Sequence, residues 1–330
     1  MYRLFTCSMK HFYVLLILFC FSTSVSAINW DGGGTTNQWN EAANWVGDVI
    51  PTATDFIFIG SIYTVEIPAG YIAQGNKVTI DGTLIFKPGG EATFGNPLSG
   101  ICVTVNGTGT LILESGSEMR ILSTPTTALT NQTNGVVTND GLINIDNVGG
   151  SVVIPAIDNV GMFTNNGTVD INNSGTGFRN RATFINTATG NIIATNITRE
   201  GFQGSSSGNS TNEGNMSFDI VSPGLGVFNT HEFTNASTGI ITVNQYSNRA
   251  VNLGSGTIVE NNGNISVDGP SSGFSIAVQN NGDFTNETTG VMNISSGNGG
   301  SIFNFGSFLN NNQIIVVDVT SDLRITNTST

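Results

Sequence analysis

Apolar residues occur in this chain as pairs two positions apart, and the pair returns about every 25 residues. Seven copies begin with a glycine that is followed by apolar residues two and four positions later; these are Gly141, Gly167, Gly190, Gly214, Gly239, Gly263 and Gly290. Gln313 takes the place of the glycine in an eighth copy, followed by Ile315 and Val317. Because residues two apart share one face of a strand, each copy predicts a strand with one buried face.

One asparagine precedes each of these glycine positions. The eight are Asn139, Asn165, Asn186, Asn212, Asn235, Asn261, Asn286 and Asn310. Two residues before each asparagine stands a large apolar residue in every copy but one, where Ser210 takes the position. Asparagine tolerates the left-handed backbone of a corner, and asparagines stacked at strand spacing can bond to each other through their amides. The column therefore predicts an asparagine ladder.

Short strands repeating with a period near 25, without a helical pattern, predict a solenoid whose rungs stack on one another. A turn of this length holds three short strands and three corners. We therefore predict an all-β fold, a right-handed parallel β-helix of about ten rungs of roughly 25 residues, with the right hand taken from the crossover rule for parallel strands. The predicted segments are residues 28–75 for an N-terminal cap and first strands, and residues 76–330 for the repeats.

The stretch at residues 28–59, "INWDGGGTTNQWNEAANWVGDVIPTATDFIFI", contains all three tryptophans, Trp30, Trp39 and Trp45. A solenoid needs a cap because its end rung otherwise exposes an apolar face and an open strand edge. One interpretation is that the indoles cover the core of the first rung. The other is that they form an aromatic platform for a sugar.

Residues 1–27 resemble a secretory signal peptide. Arg3 and Lys10 precede the apolar run "HFYVLLILFCF", and small residues lead to a cleavage site after Ala27. A retained N-terminal anchor is the alternative. Removal of this segment leaves 8 basic against 23 acidic residues, a net charge of −15, without a membrane span. A field of this sign repels nucleic acid, so we expect a secreted or cell-surface protein with surface glycans or other surface proteins as partners.

Candidate chemistry is sparse in the sequence. The outward positions between the two apolar columns contain one carboxylate, Asp170, among eight residues, which does not make an acid–base pair. Arg179 and Arg181 share a face if they lie on a strand, where they could bind an acidic sugar. Ice binding would need a flat threonine face, and only Thr242 qualifies in this outward column. No sequence motif indicates a cofactor or a metal.

The chain stops at "ITNTST", which matches "FINTATG" at residues 184–190 up to its glycine. The sequence therefore ends inside a repeat, and we expect it to be the N-terminal part of a longer protein. The clean repeats and the sparse chemistry favour a non-enzymatic extracellular scaffold. A polysaccharide-binding or polysaccharide-cleaving β-helix protein is the alternative.

The tryptophan-rich stretch, followed by rungs such as "NNGTVDI" and "FTNETTGVMNI", resembles the large secreted β-helix repeat proteins of bacterial surfaces. These include autotransporter-passenger-like and haemagglutinin-like adhesins. The resemblance implies a right-handed parallel β-helix, export, and adhesion or surface-layer work without a cofactor. It carries over no catalytic residue.

Overall fold

The chain forms a parallel β-solenoid of about ten turns, as the repeat predicts. The computed structural model describes residues 27–95, 100–149, 153–205, 207–221, 224–229, 231–246, 248–269, 276–295, 301–317 and 325–327. The signal peptide predicted at residues 1–27 therefore lies outside the described residues except for Ala27. Residues 318–324 and 328–330 also lie outside them. Ile325–Asn327, the described half of "ITNTST", pairs with Ile302–Asn304 and belongs to a different sheet from Thr183–Asn186, so the alignment of the chain end with "FINTATG" is wrong.

Each turn contributes one strand to each of three faces. Face A, an eleven-stranded sheet, contains the strands that end at the asparagine position: Thr64–Ile67, Thr83–Phe86, Thr110–Leu113, Val136–Asn139, Met162–Asn165, Thr183–Asn186, Asn209–Asn212, Glu232–Asn235, Ile258–Asn261, Asp283–Asn286 and Ser307–Asn310. Every pairing within this face is parallel, and no bulge interrupts it.

Faces B and C together form one 22-stranded sheet that bends around the rod. Face B contains Ile72–Gly75, Glu91–Phe94, Glu118–Thr124, Leu142–Val148, Thr168–Asn180, Asn191–Gly204, Asn215–Ile220, Ile240–Gln245, Asn264–Val267, Val291–Ser295 and Gln313–Val317. Face C contains Ala27–Asn29, Phe56–Ile59, Lys77–Ile80, Val103–Val105, Leu129–Asn131, Pro155–Asn159, Leu225–Asn229, Arg249–Leu253, Ile276–Asn280, Ile302–Asn304 and Ile325–Asn327, together with the second halves of Thr168–Asn180 and Asn191–Gly204. One 3-10 helix, Ala42–Asn44, lies in the N-terminal segment.

The two apolar columns of the repeat lie on face B and point into the coil. In the seven copies that start with glycine, all fourteen predicted core residues are at most 3% exposed. The prediction for the last copy is wrong by one residue. Ile314 pairs with Met292 and Val316 pairs with Ile294, so these two residues, rather than Ile315 and Val317, continue the core. Asn312, two residues after the ladder asparagine, thus holds the position assigned to Gln313.

The asparagine ladder is confirmed along its whole predicted length. Each side-chain amide donates to the side-chain oxygen of the asparagine one rung further on, over seven successive bonds of 2.7–2.8 Å from Asn139 to Asn310. The amides lie inside the coil, and the members from Asn139 to Asn286 are fully buried. In the three preceding rungs the same position holds Ile67, Phe86 and Leu113. The interior of this corner thus changes from apolar to amide between Leu113 and Asn139.

A second amide column runs along the end of face C. Asn131 donates to Asn159, and Asn159 donates to Asn180, each over 2.8 Å, and Asn280 donates to Asn304 over 2.7 Å. Gly204 and Leu253 occupy this position in two intervening rungs. This column is not predicted from the repeat, although three of its members carry an Asn-x-Gly pattern in the sequence: Asn159–Gly161, Asn280–Gly282 and Asn304–Gly306.

The three tryptophans form one buried cluster at the N-terminal end. Trp45 contacts Trp30 and Trp39 edge-on, with ring centroids 4.9 and 4.8 Å apart, and its indole nitrogen donates to the Trp39 carbonyl over 2.8 Å. Trp39 reaches the rung core at Phe94, with centroids 6.3 Å apart. The backbone of residues 37–39 exchanges hydrogen bonds of 2.8 Å with Glu66, at the first strand of face A. The segment therefore covers both an apolar end and a strand edge.

Candidate functional site

An open depression of about 480 Å³ lies on the outer side of face B. We call it the face B groove; it is lined by Arg120, Leu122, Asn144, Asp146, Asp170, Asn172 and Thr195. These residues come from four consecutive rungs and form two parallel columns. Arg120 pairs with Asn144, which pairs with Asp170, while Leu122 pairs with Asp146, which pairs with Asn172. Neighbouring residues in a column are therefore one strand spacing apart, about 4.8 Å.

The second column exists because the strands at these rungs run beyond the repeat core. Leu142–Val148 extends past its buried pair, so Asp146 points outward just as Asn144 does. The strand then bends at Asn147, whose φ of 57° is left-handed, and Asn173 and Asn196 repeat this with φ of 58° and 54°. Asparagine is one of the few residues that adopt this backbone readily. The bend turns the chain from face B to face C and ends the groove wall.

The groove brings two carboxylates near each other, Asp146 and Asp170. The outward column counted in the sequence contains only Asp170, because Asp146 belongs to the neighbouring column. Burial, and then the nearby charge of Asp146, raise the pKa of Asp170 above its ordinary value. The Asp146 carboxylate accepts a hydrogen bond of 2.9 Å from Asn172, whose own side-chain oxygen accepts a bond of 2.7 Å from Asn196. The two acids therefore stand in different environments, and Asp170 holds its proton more tightly than an exposed aspartate.

Among the described residues that line the groove, Arg120 is the only cation. Its guanidinium donates to both carboxylate oxygens of Glu118, over 2.5 and 2.8 Å. Because Glu118 neutralises this charge, Asp146 and Asp170 give the groove a net negative charge when both are ionised.

Arg179 and Arg181 do lie side by side, but they hold an acid of the chain itself. Both guanidiniums bind the Asp158 carboxylate, which is 6% exposed; Arg179 contributes bonds of 3.0 and 2.7 Å. Burial by itself would raise the pKa of Asp158, but the hydrogen bonds and charges of the two arginines outweigh it and hold the pKa below its usual value. The pair ties one turn of face C to the next.

The three tryptophan rings are also buried in contacts within the protein. Trp30 is 3% exposed, and Trp39 and Trp45 are fully buried. A sugar platform presents an open ring face, whereas these rings pack on each other and on the rung core. This arrangement matches the interpretation that they cover the first rung.

Face A has a different outer surface. From Thr83–Phe86 to Asn209–Asn212, six successive rungs place only uncharged side chains outward: Thr83, Ile85, Thr110, Ile112, Val136, Thr138, Met162, Thr164, Thr183, Ile185, Asn209 and Thr211. These threonines lie outside the column that contains Thr242, which runs along face B. The rod thus carries an acidic groove on one face and an uncharged hydroxyl and aliphatic surface on another.

Within the described ranges, no three His, Cys, Asp or Glu side chains are grouped so as to hold a metal ion. None of the helices among the residues placed by the structure has the length and hydropathy needed to cross a membrane.

Comparison with known proteins adds no family. No protein-family model matches the chain, and no curated protein matches it. Among solved structures the chain is similar to the crystal structure of a TibC-catalyzed hyper-glycosylated TibA55-350 fragment, at 13% identity and a TM-score of 0.37, over 92% of this chain and 95% of that chain. A likeness of this degree carries no argument about this protein.

Proposed function

We propose that the protein is a non-enzymatic, extracellular scaffold of the adhesin type, which projects from a bacterial cell surface and contacts surface glycans or other surface proteins. The observation that supports this most directly is the unbroken amide ladder from Asn139 to Asn310. Buried, fully bonded amide networks rigidify a core. A stiff rod that repeats its outward positions from turn to turn can make many weak contacts at once, and linked weak contacts give high avidity.

The pairing of the arginines with acids of the chain also supports a scaffold. Arg179 and Arg181 bind Asp158, and Arg120 binds Glu118, so these arginines hold groups of the chain itself. Two of the outer surfaces are the face B groove and the uncharged surface of face A. Both extend over several rungs, which suits repeated contacts with an extended partner.

The test compares the full chain coupled to beads at high and low density. We expect beads at high density to adhere to bacterial or host cell surfaces, and adhesion to fall more than in proportion as the density drops. Adhesion that is absent at every density, or that scales linearly with density, would contradict the proposal. Release of products from neutral or acidic polysaccharides by the soluble chain would contradict its non-enzymatic part.

A second candidate is a polysaccharide-binding or polysaccharide-cleaving protein, and the face B groove is the observation that favours it. Two carboxylates in different environments are the arrangement that glycoside hydrolysis uses, one as acid and one as base or nucleophile. Asp170, whose pKa is raised by burial and by the nearby Asp146, would be the proton donor, and Asp146 would be the base or nucleophile. Assay of reducing-sugar release before and after Asp170→Asn decides between the two functions, because only the cleaving protein loses a measurable rate.

A further inference from the structure

We propose that the face B groove is a binding site for an uncharged glycan, lying across rungs 118–195 and held by hydrogen bonds from sugar hydroxyls to Asp146 and Asp170. The inference rests on the proposed extracellular function and names the ligand class of one site on the rod.

The lining suits hydroxyl groups better than charged ones. The carboxylates of Asp146 and Asp170, on adjacent rungs, are acceptors for sugar hydroxyls, and the amides of Asn144 and Asn172 offer both donors and acceptors. Leu122 adds an aliphatic contact at one end. A few convergent polar groups in a concave site are the usual design of a small-molecule or saccharide site.

The charge balance sets the class of glycan. With Arg120 neutralised by Glu118, a uronate or sulfated chain would face Asp146 and Asp170 without a free cation in the groove lining. Arg179 and Arg181, which by their sequence positions could bind an acidic sugar, are absent from this lining and bind Asp158. The groove therefore repels acidic glycans and accepts neutral ones.

The two columns also match a chain-like ligand. Four rungs repeat the outward positions at about 4.8 Å intervals along the rod. Consecutive sugar rings can thus meet a polar side chain on each rung in turn. A short peptide lacks the adjacent hydroxyl donors that Asp146 and Asp170 would accept, and the strands beneath the groove are paired on both sides, which leaves no edge for strand addition.

Asp170 behaves as a binding residue would. Its carboxylate is partly buried beside Asp146, and its raised pKa means that folding works against its charge. Removal of this charge should therefore leave the fold as stable or stabilise it, whereas a residue with a structural role would destabilise the fold when removed. Binding sites commonly show this opposition between stability and function.

The experiment is calorimetric titration of the full chain with oligosaccharides from dextran, mannan and xylan, and with polygalacturonate, alginate and chitosan oligosaccharides as charged comparisons. We expect at least one neutral oligosaccharide to bind, with affinity at least tenfold weaker in Asp146→Ala and in Asp170→Ala. Asp219→Ala is the matched control, since Asp219 follows its repeat glycine by five residues as Asp146 does and accepts a bond of 2.8 Å from Asn244 outside the groove. This control should bind normally.

Several results would overturn the inference: no neutral oligosaccharide binds, a charged glycan binds best, binding requires added calcium, or the groove variants bind like the unchanged chain. Thermal unfolding of each variant shows whether a loss of affinity reflects a loss of fold. Cell adhesion that survives Asp170→Ala on beads, while no neutral glycan binds, would remove the groove inference and leave the proposed function standing. Groove-dependent glycan binding without any cell adhesion would support the groove inference and contradict the proposed function.

Discussion

The side-chain amide of Asn180 donates a hydrogen bond of 2.9 Å to the hydroxyl of Ser210, from one corner of the coil interior to the next strand. The following rung has Gly204 where the second amide column needs an acceptor, and the Asn229 amide occupies the place where a Cβ of Gly204 would lie. Ser210 is the polar exception in an apolar column, and its hydroxyl replaces the missing acceptor. Ser210, the irregular residue of the apolar column, thus compensates for Gly204, the irregular residue of the second amide column.

Ser210→Ala should therefore lower the free energy of unfolding by about 1 kcal/mol, because the buried amide of Asn180 loses one acceptor but keeps the Asn209 carbonyl at 3.0 Å. Denaturant titration of the full chain measures this change. Ser266→Ala removes an outward, half-buried hydroxyl and should stay within about 0.5 kcal/mol of the unchanged chain. Equal effects of the two variants would show that Ser210 has no compensating role.

The ladder predicts a difference between a middle and an end member. Asn212→Leu leaves the Asn186 donor and the Asn235 acceptor without their partner and should lower the free energy of unfolding by about 2–3 kcal/mol. Within the ladder, Asn139→Leu deprives only Asn165; it also removes the acceptor of the Gly141 N–H, and it should lower the free energy of unfolding by about 1–2 kcal/mol. Leucine fits the site, since Leu113 stands at this position one rung earlier. Denaturation midpoints that are the same for both variants would contradict a cooperative ladder.

Within the tryptophan cluster, we expect the loss of Trp45 to destabilise the fold most, because Trp45 contacts both other rings. Its indole is fully buried between Trp30 and Trp39, so Trp45→Ala should lower the free energy of unfolding by about 3–5 kcal/mol. Loosening of the segment also uncovers the edge of Thr64–Ile67, and we expect light scattering to rise as edges associate. Val46→Ala is the control, since Val46 is 54% exposed. A Trp45→Ala chain with unchanged melting and scattering would show that the segment does not act as a cap.

Because Asp158 is paired with two arginines, we expect the free energy of unfolding to depend on pH in the acid range. Since its folded pKa lies below the unfolded one, its contribution to stability is present above the ordinary aspartate pKa and is lost as the pH falls through the folded value. Asp158→Ala should lower the free energy of unfolding by about 1–2 kcal/mol at neutral pH, because two partly exposed arginines are left beside each other. Melting temperatures from pH 7 to pH 2 should converge for the two chains. Curves that stay parallel would rule out this account.

Glu41 organises the glycine-rich loop of the cap. Its carboxylate accepts backbone hydrogen bonds of 2.7 Å from Thr35 and 2.8 Å from Thr36, and these bonds lower its pKa from 4.5 to about 2. Its contribution is thus complete above pH 4.5 and disappears as the pH approaches 2. Carbon NMR of the carboxylates should show a resonance that titrates near pH 2 and vanishes in Glu41→Gln. A Glu41 resonance that titrates near 4.5 would mean that the loop is not held in this way.

The solenoid, its core and the first ladder could be predicted from the repeat. Equivalent positions on successive rungs have the same environment, so similar residue types recur there. Asn139 to Asn310 could be aligned without a structure for this reason. The one error in the core, at Ile315 and Val317, arose where no glycine marked the start of the strand. The second amide column could not be predicted from the sequence in the same way. Gly204 and Leu253 interrupt it, and only some of its members carry the Asn-x-Gly pattern.

The candidate site was not predictable in this way. Asp146 and Asp170 are 24 positions apart and stand at different offsets in their repeats, so neither column shows the pair. Their meeting depends on how far each strand of face B continues before Asn147 and Asn173 turn it. Sequence alone thus determined the two apolar columns in the copies that start with glycine and the first ladder, since burial selects residue type with a period that can be counted. Only the tertiary structure decided which outward residues meet and which charges are already paired, because those contacts join distant rungs and leave no periodic trace.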